Sequence, residues 1–426
     1  MADPRWLGVG YHPGSMHRLD FQPGRPWLIT ASCLLALALA CADDDPAAEV
    51  GGSETTAETG DGDPGDGDPG DGDPGDGDGD PGDGDGDPGD GDPGDGDGDP
   101  GDGDGEPGDG DGDGDPPRLP LCGTPPPDGA ELAPELPTYG GICPDLETGM
   151  QLQITTSGGQ RSFIFVAPTD VQEDEVLPVM LMFHWLGASA NSFYNKAEVQ
   201  YAADYYRFIA IIPNGRDVEQ LVPFKWPFAI SDLDFLMQQD FDMVDDLLAC
   251  TAEQYNVDKE CISAMGVSAG AMFTSMLASR HGDNLASFIS LSGGVGGLVK
   301  PWQAGGNVMP AMVLWGGRDD FCIAIDFATA SKQLEMDLEN NGHPVLECIH
   351  NCTHATPPFE PPLDQPDLPT FAPAWEFMLA HPYWLDDGYS PYADYPALPS
   401  PWPDWCAMGA GNAVERVGPC GGSECQ

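Results

Sequence analysis

From Gly140 onward the chain alternates short uninterrupted apolar runs with longer stretches whose apolar positions recur every three or four residues. That alternation predicts a mainly parallel sheet covered by helices, the α/β class. Residues 179–183 and 208–212 are continuous apolar runs, as expected for strands buried on both faces. Residues 151–154 and 161–166 predict an opening hairpin turned at Gly158-Gly159. Residues 241–255 place Phe241, Val244, Leu247 and Leu248 on one helical stripe and leave Asp242, Asp245 and Asp246 as a solvated face. Further on, strands are predicted at 261–267, 311–315 and 345–350, and helices at 271–280 and 373–380.

The N-terminal part has no such periodicity. Residues 42–117 hold 30 acidic residues and no basic one, and from Gly60 to Pro116 they repeat Gly, Asp and Pro without an aromatic or β-branched side chain. Such a segment cannot bury enough apolar surface to offset the entropy of ordering, so residues 42–118 are expected to be a disordered acidic linker. Alternating Asp also allows weak calcium binding, but the fixed turns and apolar staples of calcium repeats are missing. Before the linker, Arg18 and Arg25 precede an apolar run from Trp27 to Ala40, too short to span a bilayer comfortably. Residues 1–41 therefore predict an export signal. It is expected either to be of lipoprotein type, with Cys41 acylated, or to be cleaved after Ala38-Leu39-Ala40.

The full chain carries a formal charge of -57, and residues 118–426 still hold 40 acidic against 12 basic residues. Nucleic acid and anionic membrane need clustered Lys or Arg, so both are excluded as partners; the one expected membrane contact is a lipid on Cys41. Ten cysteines remain after Cys33 and Cys41, an even number that suggests disulfides in an exported protein. Cys250 with Cys261 is an expected local pair, and Cys322 with Cys348 or Cys352 an expected tie between two loops. The folded α/β domain is expected at 119–385, followed at 386–426 by a Cys, Pro and Trp-rich tail stapled to its surface.

The predicted strand at 261–267 runs through Gly266-Val267-Ser268-Ala269-Gly270 into a strong helix former. A nucleophilic serine needs such a strand-to-helix turn, with glycines for close backbone approach and a helix N-terminus that favours developing negative charge. Ser268 is therefore the candidate nucleophile. It needs a base and an orienting carboxylate, which follow in this arrangement in the order Ser, Asp, His. The strand at 311–315 ends in Gly316-Gly317-Arg318-Asp319-Asp320, which makes Asp319 the favoured acid and Asp320 the alternative. Of the later histidines, His354 lies just beyond the C-terminal end of a strand and is the favoured base, with His350 next; His343 and His381 fall at the wrong edge. Alternating Cys348, His350, Cys352 and His354 also raise zinc, but same-face neighbours on a strand are about 6.5–7 Å apart, too far for one tetrahedral ion, so no metal is expected. The oxyanion donors are expected to be the N–H groups of Ala269 and, from the loop His184-Trp185-Leu186-Gly187, Leu186, with Trp185 next.

From about Gly158 to Tyr383 the chain resembles the polyhydroxybutyrate depolymerase-like and feruloyl esterase-like α/β-hydrolases, which are often exported. The resemblance is carried by Gly158-Gly159-Gln160-Arg161, Val166-Ala167-Pro168, Phe183-His184, Ile212-Pro213-Asn214-Gly215, Tyr255-Asn256-Val257-Asp258, the Ser268 pentapeptide with Ala271-Met272, Trp315-Gly316-Gly317-Arg318-Asp319, Thr353-His354 and Trp375-Glu376-Phe377. It implies an α/β-hydrolase fold and a Ser268, Asp319, His354 triad acting on carboxylic esters, polymeric or small, without cofactor and as a monomer. Trp185 stands where that family usually has Gly, and Ala355 stands where an aromatic usually follows the histidine. Trp does not readily take a glycine-only conformation, so a different backbone is expected in the oxyanion loop. A different class of function, a surface module binding sugar or polymer on a hydrolase scaffold, would need Trp302, Trp384, Trp402 and Trp405 exposed.

Overall fold

The computed structural model describes residues 118–217, 222–420 and 424–425. The expected signal, Cys41 and nearly all of the linker lie outside them. The described chain opens with the antiparallel hairpin β1 (Gln151–Thr156) and β2 (Gly159–Val166). Then come β3 (Leu177–Phe183), α1 (Ala190–Lys196), α2 (Val199–Tyr206), β4 (Ile209–Pro213), α3 (Asp234–Gln254) and β5 (Val257–Val267). The second half runs α4 (Ala269–His281), β6 (Ser287–Leu291), β7 (Ala311–Trp315), the small hairpin β8 (Phe321–Cys322) and β9 (Ile325–Asp326), α5 (Phe327–Asn340), β10 (Val345–Ile349), α6 (Ala372–Ala380) and β11 (Cys406–Met408). One nine-stranded sheet has the order β1-β2-β4-β3-β5-β6-β7-β10-β11. The six strands from β4 to β10 are parallel to one another, and antiparallel pairs close both ends. This is the α/β-hydrolase strand order.

Both faces of the sheet are covered, which is why its central strands lack polar alternation. On β3, Val179, Leu181 and Phe183 face one core, with Phe241 of α3, Phe273 of α4 and Leu334 of α5. Met180 and Met182 face the other, with Phe193 of α1, Ala202 of α2 and Trp375 of α6. Alternate residues of one strand thus belong to opposite layers, the period of two expected of extended chain. On α6, the partly buried Glu376 accepts a hydrogen bond from the Tyr206 hydroxyl at 3.0 Å. Burial pushes this carboxyl up to about 7, against the hydrogen bond, which lowers it. The folded chain therefore holds a proton that the unfolded chain, with Glu near 4.3, releases, and stability falls as pH rises from about 4 through 7. Glu376→Gln keeps an acceptor for Tyr206; thermal melts at about pH 5 and about pH 8 are expected to show a smaller alkaline loss in the variant than in the parent.

The segment after Trp384 is more than a surface addition. It supplies β11, paired antiparallel with β10, and it buries Tyr392, Trp402 and Trp405 in the second core. Three disulfides fasten it: Cys348–Cys406, Cys352–Cys420 and Cys322–Cys425. The segment before β1 is fastened by Cys122–Cys261 and Cys143–Cys250. The expected pairs Cys250 with Cys261, and Cys322 with Cys348 or Cys352, are thus corrected. Cys250 and Cys261 each reach a cysteine of the N-terminal segment, and the two loops are joined through the tail rather than directly. Cross-links over such separations each stabilise a chain by about 2–4 kcal/mol in the loop-entropy account.

Candidate active site

Parallel strands direct the loops that follow them to one edge of the sheet, and the loops after β3, β5, β6, β7 and β10 meet there. Ser268 sits between β5 and α4 with φ 54° and ψ -117°, a strained conformation that turns its side chain out of the strand. The turn depends on its glycines. A Cβ on Gly266 would stand 2.3 Å from the Gly270 carbonyl oxygen, and one on Gly270 would stand 2.0 Å from the Phe183 oxygen, so β3, β5 and α4 approach one another through missing side chains. The Ser268 N–H donates to the Leu291 carbonyl at 2.9 Å, which ties the turn to the end of β6.

His354 Nε2 lies 2.9 Å from Ser268 Oγ, and His354 Nδ1 lies 2.7 Å from Asp320 Oδ1. The expected acid, Asp319, is therefore corrected to its neighbour. Gly317, at φ 76°, reverses the chain after β7, and the Asp320 N–H donates back to the Gly317 oxygen at 3.1 Å. That turn buries Asp320 completely and leaves Asp319 70% exposed, beside the Arg318 guanidinium at 3.4 Å. The second Asp320 oxygen accepts from Ser292 Oγ at 2.8 Å and from the Gly316 N–H at 2.7 Å. With both oxygens engaged, the carboxylate cannot swing away from the imidazole. Phe327, the first residue of α5, stacks on the His354 ring with centroids 4.2 Å apart and 26° between planes. The acid and histidine loops also clasp each other. The Thr353 N–H donates to the Gly316 oxygen at 3.1 Å, and a Cβ on Gly316 would lie 1.8 Å from the Thr353 oxygen.

Ser292 and Phe327 carry no sequence signal, because a serine after a strand and an aromatic at a helix start match no motif. Ser292 has φ 47° and donates its N–H to the Leu314 oxygen at 2.6 Å, so its backbone is fixed before its hydroxyl reaches Asp320. Ser292→Ala is expected to lower by about tenfold the kcat of any reaction that draws on this imidazole, the worth of one hydrogen bond to a charged group, with KM little changed. Steady-state kinetics check both parameters.

The other histidines have separate partners. His350 is buried, its Nδ1 accepts from the Cys352 N–H at 3.1 Å, and burial pulls its pKa down to about 4. His343 bonds the Met309 oxygen at 2.9 Å, and His381 lies between the Phe377 oxygen and Ser390 Oγ. The sulfurs of Cys348 and Cys352 are held in disulfides, which removes the zinc arrangement. Among the described residues no group of three or more His, Cys, Asp or Glu side chains is placed to hold a metal.

His184 braces the loop after β3. Its Nδ1 donates to the Trp185 oxygen at 2.8 Å, its Nε2 accepts from the Gly215 N–H at 3.0 Å, and Trp226 Nε1 donates to its carbonyl at 2.9 Å. Burial pulls its pKa down to about 4, so it is neutral near pH 7, as a ring that both donates and accepts must be. Trp185 has no positive φ; that conformation falls on Gly187, at 76°. The loop thus turns without asking Trp185 for a glycine-only backbone. Leu186 is half-buried against the first core. The Ala269 N–H opens α4, where position in the helix leaves it without an intrahelical acceptor.

Neither a family model nor a curated protein matches the chain. Solved structures do. One is the native form of a protein named sOPH, at 17% identity, with 63% of this chain and 97% of that one covered and a TM-score of 0.47. Another is a ferulic acid esterase at 13% identity, covering 48% and 90%, with a TM-score of 0.39. A third is an esterase from the archaeon Pyrobaculum calidifontis at 14% identity, covering 48% and 77%, with a TM-score of 0.36. Identity this low leaves the chemistry to the chain's own residues.

Proposed function

We propose that the chain is an exported serine esterase with Ser268 as nucleophile, His354 as general base and acid, and Asp320 as the carboxylate that orients the imidazole. The observation that carries this reading is the unbroken hydrogen-bond chain from Ser268 Oγ through His354 to a buried Asp320 at the C-terminal edge of the sheet. Ser268 Oγ attacks the ester carbonyl while His354 Nε2 takes its proton. The carbonyl oxygen becomes an oxyanion, held by the Ala269 and Leu186 N–H groups and favoured by the N-terminus of α4. Collapse breaks the bond to the alkoxy oxygen, and His354 returns the proton so that an alcohol leaves and an acyl-serine remains. Water then attacks the acyl carbon as His354 takes its proton; the bond to Ser268 Oγ breaks, His354 returns the proton to Oγ, and the carboxylic acid leaves. Asp320 keeps the proton on Nδ1 and stabilises the imidazolium through both transfers. No cofactor enters any of these steps.

The substrate is a carboxylic ester, polyester or acylated polysaccharide included, rather than an anionic polymer, in keeping with the acidic surface. Five disulfides among the described residues fit an oxidising compartment. Export by the N-terminal signal, anchoring through Cys41 and a monomeric state complete the proposal. The rival binding module loses its stacking surface: Trp402 and Trp405 are buried, Trp302 packs on Phe288, and Trp384 is half-buried. The test is hydrolysis of p-nitrophenyl butyrate by the protein with disulfides intact. Saturable turnover is expected; absence of turnover alongside retained polymer binding would overturn the proposal.

A further inference from the structure

A connected set of contacts runs beside the candidate site. Lys196, at the end of α1, holds its ammonium 5.5 Å from the centroid of the Trp185 ring. The same ammonium pairs with Glu424 Oε2 at 2.5 Å. Glu424 Oε1 accepts from Thr356 Oγ1 at 2.8 Å, and the Glu424 N–H donates to the His354 carbonyl at 3.2 Å. The next residue, Cys425, is bonded to Cys322 of β8, in the loop that leads from Asp320 to Phe327. Trp185 belongs to the loop after β3, and His354 contacts Ser268 directly. Glu424 and Cys425 therefore join the loop that holds Trp185 to the loops that hold His354 and Asp320. Ser268 between them is only 7% exposed.

We infer that Lys196 and Glu424 form a latch between these two loops that determines which esters reach Ser268, admitting small acyl groups more readily than bulky ones. The inference rests on the serine esterase reading. Its physical basis is an asymmetry of strength. The disulfide fixes Cys425 covalently, while the Glu424 carboxylate beside it is held to Lys196 by an ion pair whose side chains are 39% and 51% exposed, weak in water and screened by salt. A cation over an indole adds to the same closure and depends on the same ammonium. A small acyl group needs little displacement of the rim; a long or aromatic one needs the Trp185 and His354 loops apart. Selectivity is then set by residues that touch no reacting atom.

The test compares kcat/KM for p-nitrophenyl acetate and p-nitrophenyl decanoate, below the decanoate's aggregation limit, in the parent, Lys196→Met and Glu424→Gln. Glu424→Gln keeps the backbone bond to His354 and an acceptor for Thr356. The decanoate-to-acetate ratio is expected to rise by about threefold to fivefold in both variants, the range an exposed ion pair is able to hold closed. Salt at about 1 M, where the Debye length is about 3 Å, is expected to raise the parent's ratio similarly and to leave Lys196→Met unchanged. Ser268-dependent hydrolysis with a ratio unmoved by either variant and by salt would overturn the latch alone. Hydrolysis that survives Ser268→Ala would overturn the serine reading and the latch with it.

Discussion

Ser268→Ala is expected to remove ester hydrolysis almost entirely, with kcat down by about 10⁴-fold or more and the fold intact. The magnitude follows from the chemistry. Without Oγ no acyl-serine forms, and what remains is water attack assisted by backbone donors and binding alone. The fold survives because the strain at this position lies in the backbone, at φ 54°, and is supported by the Ser268 N–H bond to Leu291 and the close approaches of Gly266 and Gly270. Alanine meets the same contacts. Matching thermal melts for parent and variant, together with kinetics on p-nitrophenyl butyrate, separate loss of chemistry from loss of structure. A variant that keeps kcat and raises KM would mean that the serine only binds.

The second large effect separates two adjacent carboxylates. Asp320→Asn is expected to cost about 10⁴-fold in kcat, and Asp319→Asn less than about twofold. At position 320 one oxygen meets two donors, the Ser292 hydroxyl and the Gly316 N–H, while the other faces His354 Nδ1. An asparagine must leave its carbonyl with the two donors and turn its amide toward the imidazole. Nδ1 then has to accept, the ring proton moves to Nε2, and Nε2 loses the lone pair that takes the Ser268 proton. Asp319, exposed beside Arg318, has no such role. Equal losses at the two positions, or a larger one at 319, would contradict the geometry.

The turn at Ser268 is legible because its demands are local: a strand, two glycines at backbone contact and a helix within one short stretch. The placement of His354 against Ser268 follows from chain order and from the edge of the sheet it occupies. The carboxylate that meets the imidazole is Asp320, one position beyond the expected Asp319, since a run of two aspartates does not reveal which of them the Gly317 turn carries inward. Disulfide pairing was illegible for a related reason. The pairs are separated by 58 to 139 residues, so they follow tertiary packing rather than spacing. The last strand, Cys406–Met408, is too short to show a period and lies in Pro-rich sequence, which made a piece of the sheet and core read as an appended tail. Lys196 and Glu424, 228 positions apart, likewise carry no signal until the fold unites them.

On the proposed mechanism an acyl group passes through Ser268. Acid quenching of the protein within its first turnovers of p-nitrophenyl acetate, followed by peptide mass mapping, tests it directly. One acetyl group per chain is expected on the peptide that contains Ser268, formed faster than acetate is released and absent from Ser268→Ala. Turnover with no acyl group on that peptide, or with the label on another residue, would contradict it.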